Sequence, residues 1–204
     1  MTPTPTPTRS PLHPPHHEIE VKARVTAVAS LRRALRRAGA RLEFRGRMLD
    51  RRYDRARELT RGDQVLRLRT YRPAGRGGGR AHAVLAWKGP ASARGGYRHR
   101  AELEVAVSDP AALQALLVRL RYRVTLAIDR QVEVYRLGGA TLRLERYPRM
   151  DTLLEVEGPP AAIERAITAI GLPRERFLSE SLPFFTRAYR RRTGRRAQLA
   201  RGRS

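Results

Sequence analysis

Glu18-Ile19-Glu20-Val21-Lys22 is the stretch on which the reading of this chain turns. Side chains of a strand alternate faces, so residues two apart point the same way. Glu18, Glu20 and Lys22 therefore share one face, and Ile19 and Val21 the other. The pattern recurs at Glu102-Leu103-Glu104 and Glu155-Val156-Glu157, so three triplets hold six of the 19 acidic residues. Arg98 and Arg100 extend the second face with the parity of Glu102 and Glu104. One strand face of mixed charge is ordinary on a solvated surface. Three, each with a carboxylate pair, imply a shared interior that holds metal ions and an anion.

The basic residues support that reading. Of 43 Lys and Arg, only Lys22 and Lys88 are lysine. In an arginine-drifted chain, the positions that stay lysine are candidates for sites that need a compact ammonium rather than a planar fork. The net charge of +24 favours anionic partners such as phosphates, nucleotides, polyphosphate or nucleic acid. Arginine drift accounts for much of that charge without a function.

Composition bounds the rest. A length of 204 residues, 41% hydrophobic, suits one domain with tails. No apolar run approaches the roughly 20 residues of a membrane span, and no apolar signal-peptide core precedes the first strand. Without cysteine there is no disulfide, thiolate metal site or cysteine nucleophile. A cytoplasmic protein with no membrane partner is expected, either a monomer or a homodimer.

Residues 1–16, rich in Thr-Pro, read as a disordered tail. His13, His16 and His17 at its end lack a fourth metal ligand. Strands are expected at 17–25, 41–54, 64–72, 81–88, 98–107, 123–136, 140–146 and 152–157. Helices are expected at 27–38, from Asp109-Pro110 to 120, from Pro159-Pro160 to before Gly171, and at 179–191. Residues 74–80 read as a flexible hairpin loop without the Lys-Ser/Thr ending of a P-loop, and Gly138-Gly139 as a tight turn. Residues 191–204 read as a basic disordered tail. Helices do not alternate strictly with strands, which argues against a doubly wound parallel sheet. The expected fold is α+β: a closed eight-stranded, mainly antiparallel β-barrel over 17–190, with a charged, wet interior and helices packed outside.

These residues resemble the CYTH family, the triphosphate tunnel metalloenzymes. Glu18-Ile19-Glu20-Val21-Lys22 matches the family's Glu-x-Glu-x-Lys opening. Asp50, Tyr53 and Asp54 match Asp-x-x-Tyr-Asp, and Arg67-Leu68-Arg69 matches Arg-x-Arg. Trp87-Lys88-Gly89-Pro90, Arg100 to Glu104 and Glu155 to Glu157 complete six elements in order, across about 17–190. The chain departs from the pattern at Val132, where a second basic residue often follows the position held here by Arg130. It departs again at Arg149-Met150-Asp151, in place of Gly-Leu-Gly. Glu145 stands where Asp is common, with Arg143 two residues earlier on the same face.

The resemblance implies a triphosphate held by Lys22, Arg67, Arg69, Lys88, Arg100, Arg130 and Arg143. It implies that Glu18, Glu20, Glu102, Glu104, Glu145, Glu155 and Glu157 hold Mg²⁺ or Mn²⁺, hard cations that prefer oxygen ligands. Lys22, Glu20 and Glu157 are the expected catalytic residues. Water would attack the terminal phosphoryl group in line, with metal ions neutralising and activating. Three functions stay open. One is hydrolysis of tripolyphosphate, ATP or thiamine triphosphate. Another is cyclisation of ATP to cyclic AMP with release of pyrophosphate. The third is non-catalytic binding of polyphosphate or RNA. Nonspecific polyanion binding by the basic C-terminal tail is a further possibility.

Overall fold

Eight strands close into a barrel. In the computed structural model, which describes residues 15–75 and 77–200, they are β1 (His16–Val25), β2 (Arg41–Asp54), β3 (Val65–Pro73), β4 (His82–Arg94), β5 (Tyr97–Ala106), β6 (Arg123–Leu137), β7 (Ala140–Arg146) and β8 (Thr152–Glu157). Their order around the barrel is β1-β5-β4-β3-β2-β6-β7-β8, and every neighbouring pair is antiparallel. Closure removes the free sheet edge and gives each strand one inner and one outer face.

The apolar core lies outside the barrel wall. Helices α1 (Val28–Arg37) and α4 (Pro160–Ile170) pack Leu31, Leu35, Ile163 and Ile167 onto Val21, Leu142, Leu144, Leu154 and Val156. These strand residues are the apolar partners in the alternation read from sequence. Arg32 of α1 adds an ion pair by donating from Nε to Glu133, 3.0 Å away. A second cluster gathers Tyr53 and Leu68 under Leu117 of α3 (Pro110–Arg119). Asp109 caps α3 through its carboxylate, which accepts from the amides of Ala111 and Ala112.

One end of the barrel is plugged. Phe44 and Met48 share the parity of Asp50, Val132 that of Arg130, and Tyr71 that of Arg69, so all four are inward. They pack together with Val134, and His82 stacks on Tyr71 with ring centroids 4.2 Å apart. Val132 thus replaces a charge with part of an apolar stopper.

Several boundaries differ from expectation. β4 runs to Arg94, because a bulge between Lys88 and Ala91 absorbs Gly89-Pro90 and Gly95-Gly96, both at positive φ, make a two-residue hairpin. A short helix α2 (Glu58–Arg61) was not foreseen. It forms because the Asp54 carboxylate accepts from the amides of Arg55, Leu59 and Thr60. In the expected loop 74–80, two described residues are tied to β2: Ala74 donates to Arg45 O, and Gly78 O accepts from Arg45 N.

The expected tails are only partly so. Residues 1–14 lie outside the described residues, His13 among them, while His16 and His17 belong to β1. Of the tail expected over 191–204, residues 201–204 lie outside the described residues, and over 191–200 the expectation is corrected: α5 (Leu182–Thr193) runs into it. Gln198 then bridges Arg149, and Leu199 O accepts from Asp129 N at 2.8 Å. These bonds satisfy an amide of β6 beyond the last residue paired with β7, and the backbone of Arg149 in the β7–β8 connection. Among the described residues no helix is long and apolar enough to cross a membrane.

Leu35, fully buried between barrel and α4, anchors the outer core. Leu35→Ala should lower unfolding free energy by about 3 kcal/mol in urea denaturation. A loss under about 1 kcal/mol would show that the α1 contact is not structural.

Candidate active site

The inner wall is almost wholly ionic. β1 supplies Glu18, Glu20 and Lys22; β2 Asp50 and Arg52; β3 Arg67 and Arg69; β4 Lys88. β5 supplies Arg98, Arg100, Glu102 and Glu104; β6 Arg130; β7 Arg143 and Glu145; β8 Glu155 and Glu157. Register sets opposite charges side by side: Glu18 faces Arg100, Lys22 faces Glu155, Asp50 faces Arg69, Lys88 faces Glu102 and Arg143 faces Glu155. Ala86 stands between Arg67 and Glu104 in the register, and its small side chain leaves them room to meet.

Nearly every charge has a partner. Lys22 Nζ lies 2.5 Å from Glu20 and 3.0 Å from Glu155. Lys88 Nζ lies 2.5 Å from Glu18 and 3.1 Å from Glu102. The two lysines of the chain thus do the same thing: a compact ammonium bridges two carboxylates. Arg69 holds Asp50 through Nε and Nη2 at 2.8 and 3.0 Å, and Arg130 reaches Asp50 at 3.2 Å and Glu145 at 2.9 Å. Arg143 bridges Glu155, at 2.6 Å, and Glu157. Arg67 reaches Glu102 at 3.1 Å and Glu104 at 3.4 Å.

Between these walls lies a cavity of about 210 Å³, lined also by Arg98, Asp63 and the start of α5, Ser181 to Pro183. Donors remain free around it: Arg52 Nε, Arg67 Nε and Arg130 Nη1 are buried with no hydrogen-bond partner. A buried unsatisfied guanidinium nitrogen is costly, and an anionic oxygen is the group that satisfies it.

Crowding perturbs the ionisations. Burial pushes the Glu20 carboxyl up to about 7; Glu155 and Glu18 add to this and Lys22 opposes it. Burial pushes Glu155 up as well, but Lys22 and Arg143 overcome it and hold Glu155 well below the usual carboxylate range. Asp50 is likewise held low by Arg130 and Arg69 against burial. Burial, with Arg67 nearby, pulls Arg52 down to about 10. Arg52 is the cation here that wants a counter-charge.

Could this set hold a divalent cation? Among the described residues no three acidic or histidine side chains are gathered as a metal-binding set, because each carboxylate is spent on a cation. The donor chemistry nevertheless fits. All donors are carboxylate oxygens, which Mg²⁺ and Mn²⁺ prefer. Burial raises Glu20, and the neighbouring Glu155 and Glu18 carboxylates add to the rise; a cation between them would relieve that added repulsion.

The sequence-derived residues fall into two groups. Glu18, Glu20, Lys22, Arg67, Arg69, Lys88, Arg100, Arg130, Glu145 and Glu155 all line the cavity. Glu102, Glu104, Arg143 and Glu157 do not line it. They sit toward the plugged end, and the Glu104 side chain is 39% exposed. Sequence reasoning gave Asp50 a motif match but no site role, and passed over Arg52, Asp63 and Tyr147; all four line the cavity. Parity with Met48 places Asp50 and Arg52 on the inner face, so that signal was present. Tyr147, whose hydroxyl donates to Glu145, and Asp63, which accepts from Arg100, lie beyond strand ends, where alternation says nothing.

No family model matches the sequence, and no curated protein does. Solved structures do share the fold. A candidate adenylate cyclase from Vibrio parahaemolyticus superposes with TM-score 0.69 at 17% identity, covering 84% of this chain and 98% of its own. The PH1012 protein of Pyrococcus horikoshii OT3 gives 0.65 at 22% identity, over 82% and 98%. HpAC1 from Hippeastrum, a candidate adenylyl cyclase with a dominant triphosphatase activity, gives 0.57 at 17% identity, over 91% and 100%. At such identities the shared property is the architecture. The chain has the closed eight-stranded tunnel fold that its resemblance to the CYTH proteins implies.

Proposed function

We propose that this protein is a divalent-metal-dependent enzyme that hydrolyses a triphosphate inside its barrel. The observation that carries the reading is the enclosed cavity in which three guanidinium donors lack partners while every carboxylate has one. That is a site short of anion. A pure polyphosphate or RNA binder would gain nothing from eight inward carboxylates. A carboxylate wall earns its place only when cations stand between it and the phosphates.

Mg²⁺ or Mn²⁺, held by Glu18, Glu20, Glu145 and Glu155, with Glu102, Glu104 and Glu157 toward the other end of the barrel, would supply charge neutralisation and Lewis acidity for water. The chain's own groups do the positioning. Arg52, Arg67 and Arg130 donate to phosphate oxygens, bidentately where the fork allows. Arg69, Arg100, Arg143 and Lys88 set the field around them. Lys22 bridges Glu20 and Glu155 at the centre of the β1–β8 pair, and Glu20 and Glu157 are register partners there. We assign these three to the reacting end of the phosphate chain. A water oxygen bonds to the terminal phosphorus as the bridging P–O bond breaks; the terminal group becomes orthophosphate, the rest of the chain leaves as a diphosphate or diphosphate ester, and the protons of the water end on these products and solvent. The apolar cluster of Phe44, Met48, Tyr71 and Val132 narrows the far end of the barrel.

Incubation with Mn²⁺ or Mg²⁺ and tripolyphosphate, ATP or thiamine triphosphate tests this. Metal-dependent release of phosphate is expected. Cyclic AMP and pyrophosphate as the products from ATP would instead establish cyclisation, and no turnover of any substrate would contradict both. Glu20→Ala and Glu157→Ala should each lower kcat by about 100-fold or more with circular dichroism unchanged. Lys22→Arg should cost about tenfold or more, since a planar fork cannot replace an ammonium between two carboxylates. Wild-type rates in these variants would remove the assigned residues from the mechanism.

Glu20 also predicts a pH dependence. Its proton, held to about pH 7, competes with a bound cation. Mn²⁺ affinity measured by calorimetry should rise about tenfold per pH unit below 7 and level off above it. Glu20→Gln should flatten the rise. A flat wild-type profile from pH 5.5 to 8.5 would mean that Glu20 holds no cation.

A further inference from the structure

A second cavity, of about 270 Å³, lies beside the mouth of the first and shares Arg52, Asp63 and Val65 with it. It exists because the wall is irregular there. Arg52 pairs with Leu126 and Tyr53 with Val124, so Thr125 of β6 has no opposite residue on β2. Such a bulge bends a strand and re-aims side chains, and bulges gather at barrel rims and sites. Thr125 and Leu126 line the cavity it opens.

The polar groups at this junction are unevenly used. The Asp54 carboxylate is filled by the amides of Arg55, Leu59 and Thr60. That of Asp63 is taken by Arg100 and the amide of Ala91. Gln64 accepts from Trp87 through its amide oxygen, which leaves its NH₂ as a donor. Two buried atoms have no partner at all: the Tyr53 hydroxyl and Arg52 Nε. Tyr53 is 2% exposed and lies on the rim of the apolar cluster with Leu68 and Leu117. The acids are therefore spent and the free groups are donors. A hydroxyl left unsatisfied between an apolar cluster and a cavity calls for an acceptor from a ligand.

We propose that this second cavity is the subsite for the organic part of a triphosphate ester: a neutral ring bearing hydrogen-bond acceptors, as in a nucleoside. The inference rests on the triphosphate reading and adds where the rest of such a substrate goes. Arg52 is the pivot, since it lines both spaces and would meet the phosphate nearest the ester bond. The volume is below the roughly 300–1,000 Å³ of drug-sized pockets, which limits the occupant to a single nucleoside-sized group.

Binding of ATP and of tripolyphosphate, each with Mn²⁺, to the full-length protein separates the two spaces. Thr125 is exposed, so Thr125→Trp obstructs the second cavity without touching the core. It should leave the tripolyphosphate Kd within about twofold and weaken ATP about tenfold or more. Tyr53→Phe removes only the hydroxyl. It should weaken ATP about threefold or more with Tm unchanged or higher, because no protein hydrogen bond is lost. If Thr125→Trp weakens both ligands equally, or neither, the subsite is refuted. If neither ligand binds the wild-type protein, the triphosphate reading falls and this inference with it.

Discussion

Ion pairing in a closed interior is the constraint on which the rest of this molecule depends. Nine Lys or Arg side chains and eight carboxylates face inward from eight strands. Taking such charges out of water costs several kcal/mol per ion, and mutual attraction offsets that only when each has a well-placed partner. The register supplies the partners. Closure is required too, because an open sheet would present the same residues to water, where such pairs are worth little. Folding stability comes from elsewhere: the apolar face of the same strands, covered by α1 and α4.

That division has a consequence for binding. The cavity wall is nearly neutral, so a triphosphate cannot enter as a bare polyanion and find idle cations waiting, Arg52 apart. Something must take the carboxylates off the lysines and arginines. Under the triphosphate reading proposed above, a divalent cation would do this, since its charge would replace theirs. Anion and metal are then expected to bind together. The apolar stopper of Phe44, Met48, Tyr71 and Val132 fills part of the far end, where the Glu104 side chain is still exposed.

Much of this was legible because strand alternation writes the inner face directly into sequence. Glu18, Glu20 and Lys22, or Arg67 and Arg69, need only a period of two to be placed together. The two lysines were legible by rarity, and both prove to bridge carboxylate pairs. Arg52 was missed because it sits among Arg51, Tyr53 and Asp54 in a stretch where charge falls on both faces. Asp63 and Tyr147 were missed because loops carry no parity. The C-terminal arginines misled: eight of them with little apolar content read as a solvated tail, yet Gln198 and Leu199 dock through backbone groups, which composition does not report. Val132 reads as a lost charge in sequence, but among Phe44 and Met48 it is a packing residue.

The central claim is that cation and anion fill this interior only together. Calorimetric titration of tripolyphosphate into the protein, with Mn²⁺ and with chelator, tests it most directly. The account predicts that Mn²⁺ raises tripolyphosphate affinity by about 100-fold or more and that tripolyphosphate raises Mn²⁺ affinity by the same factor, as linkage demands. Equal tripolyphosphate affinity with metal and with chelator would contradict it.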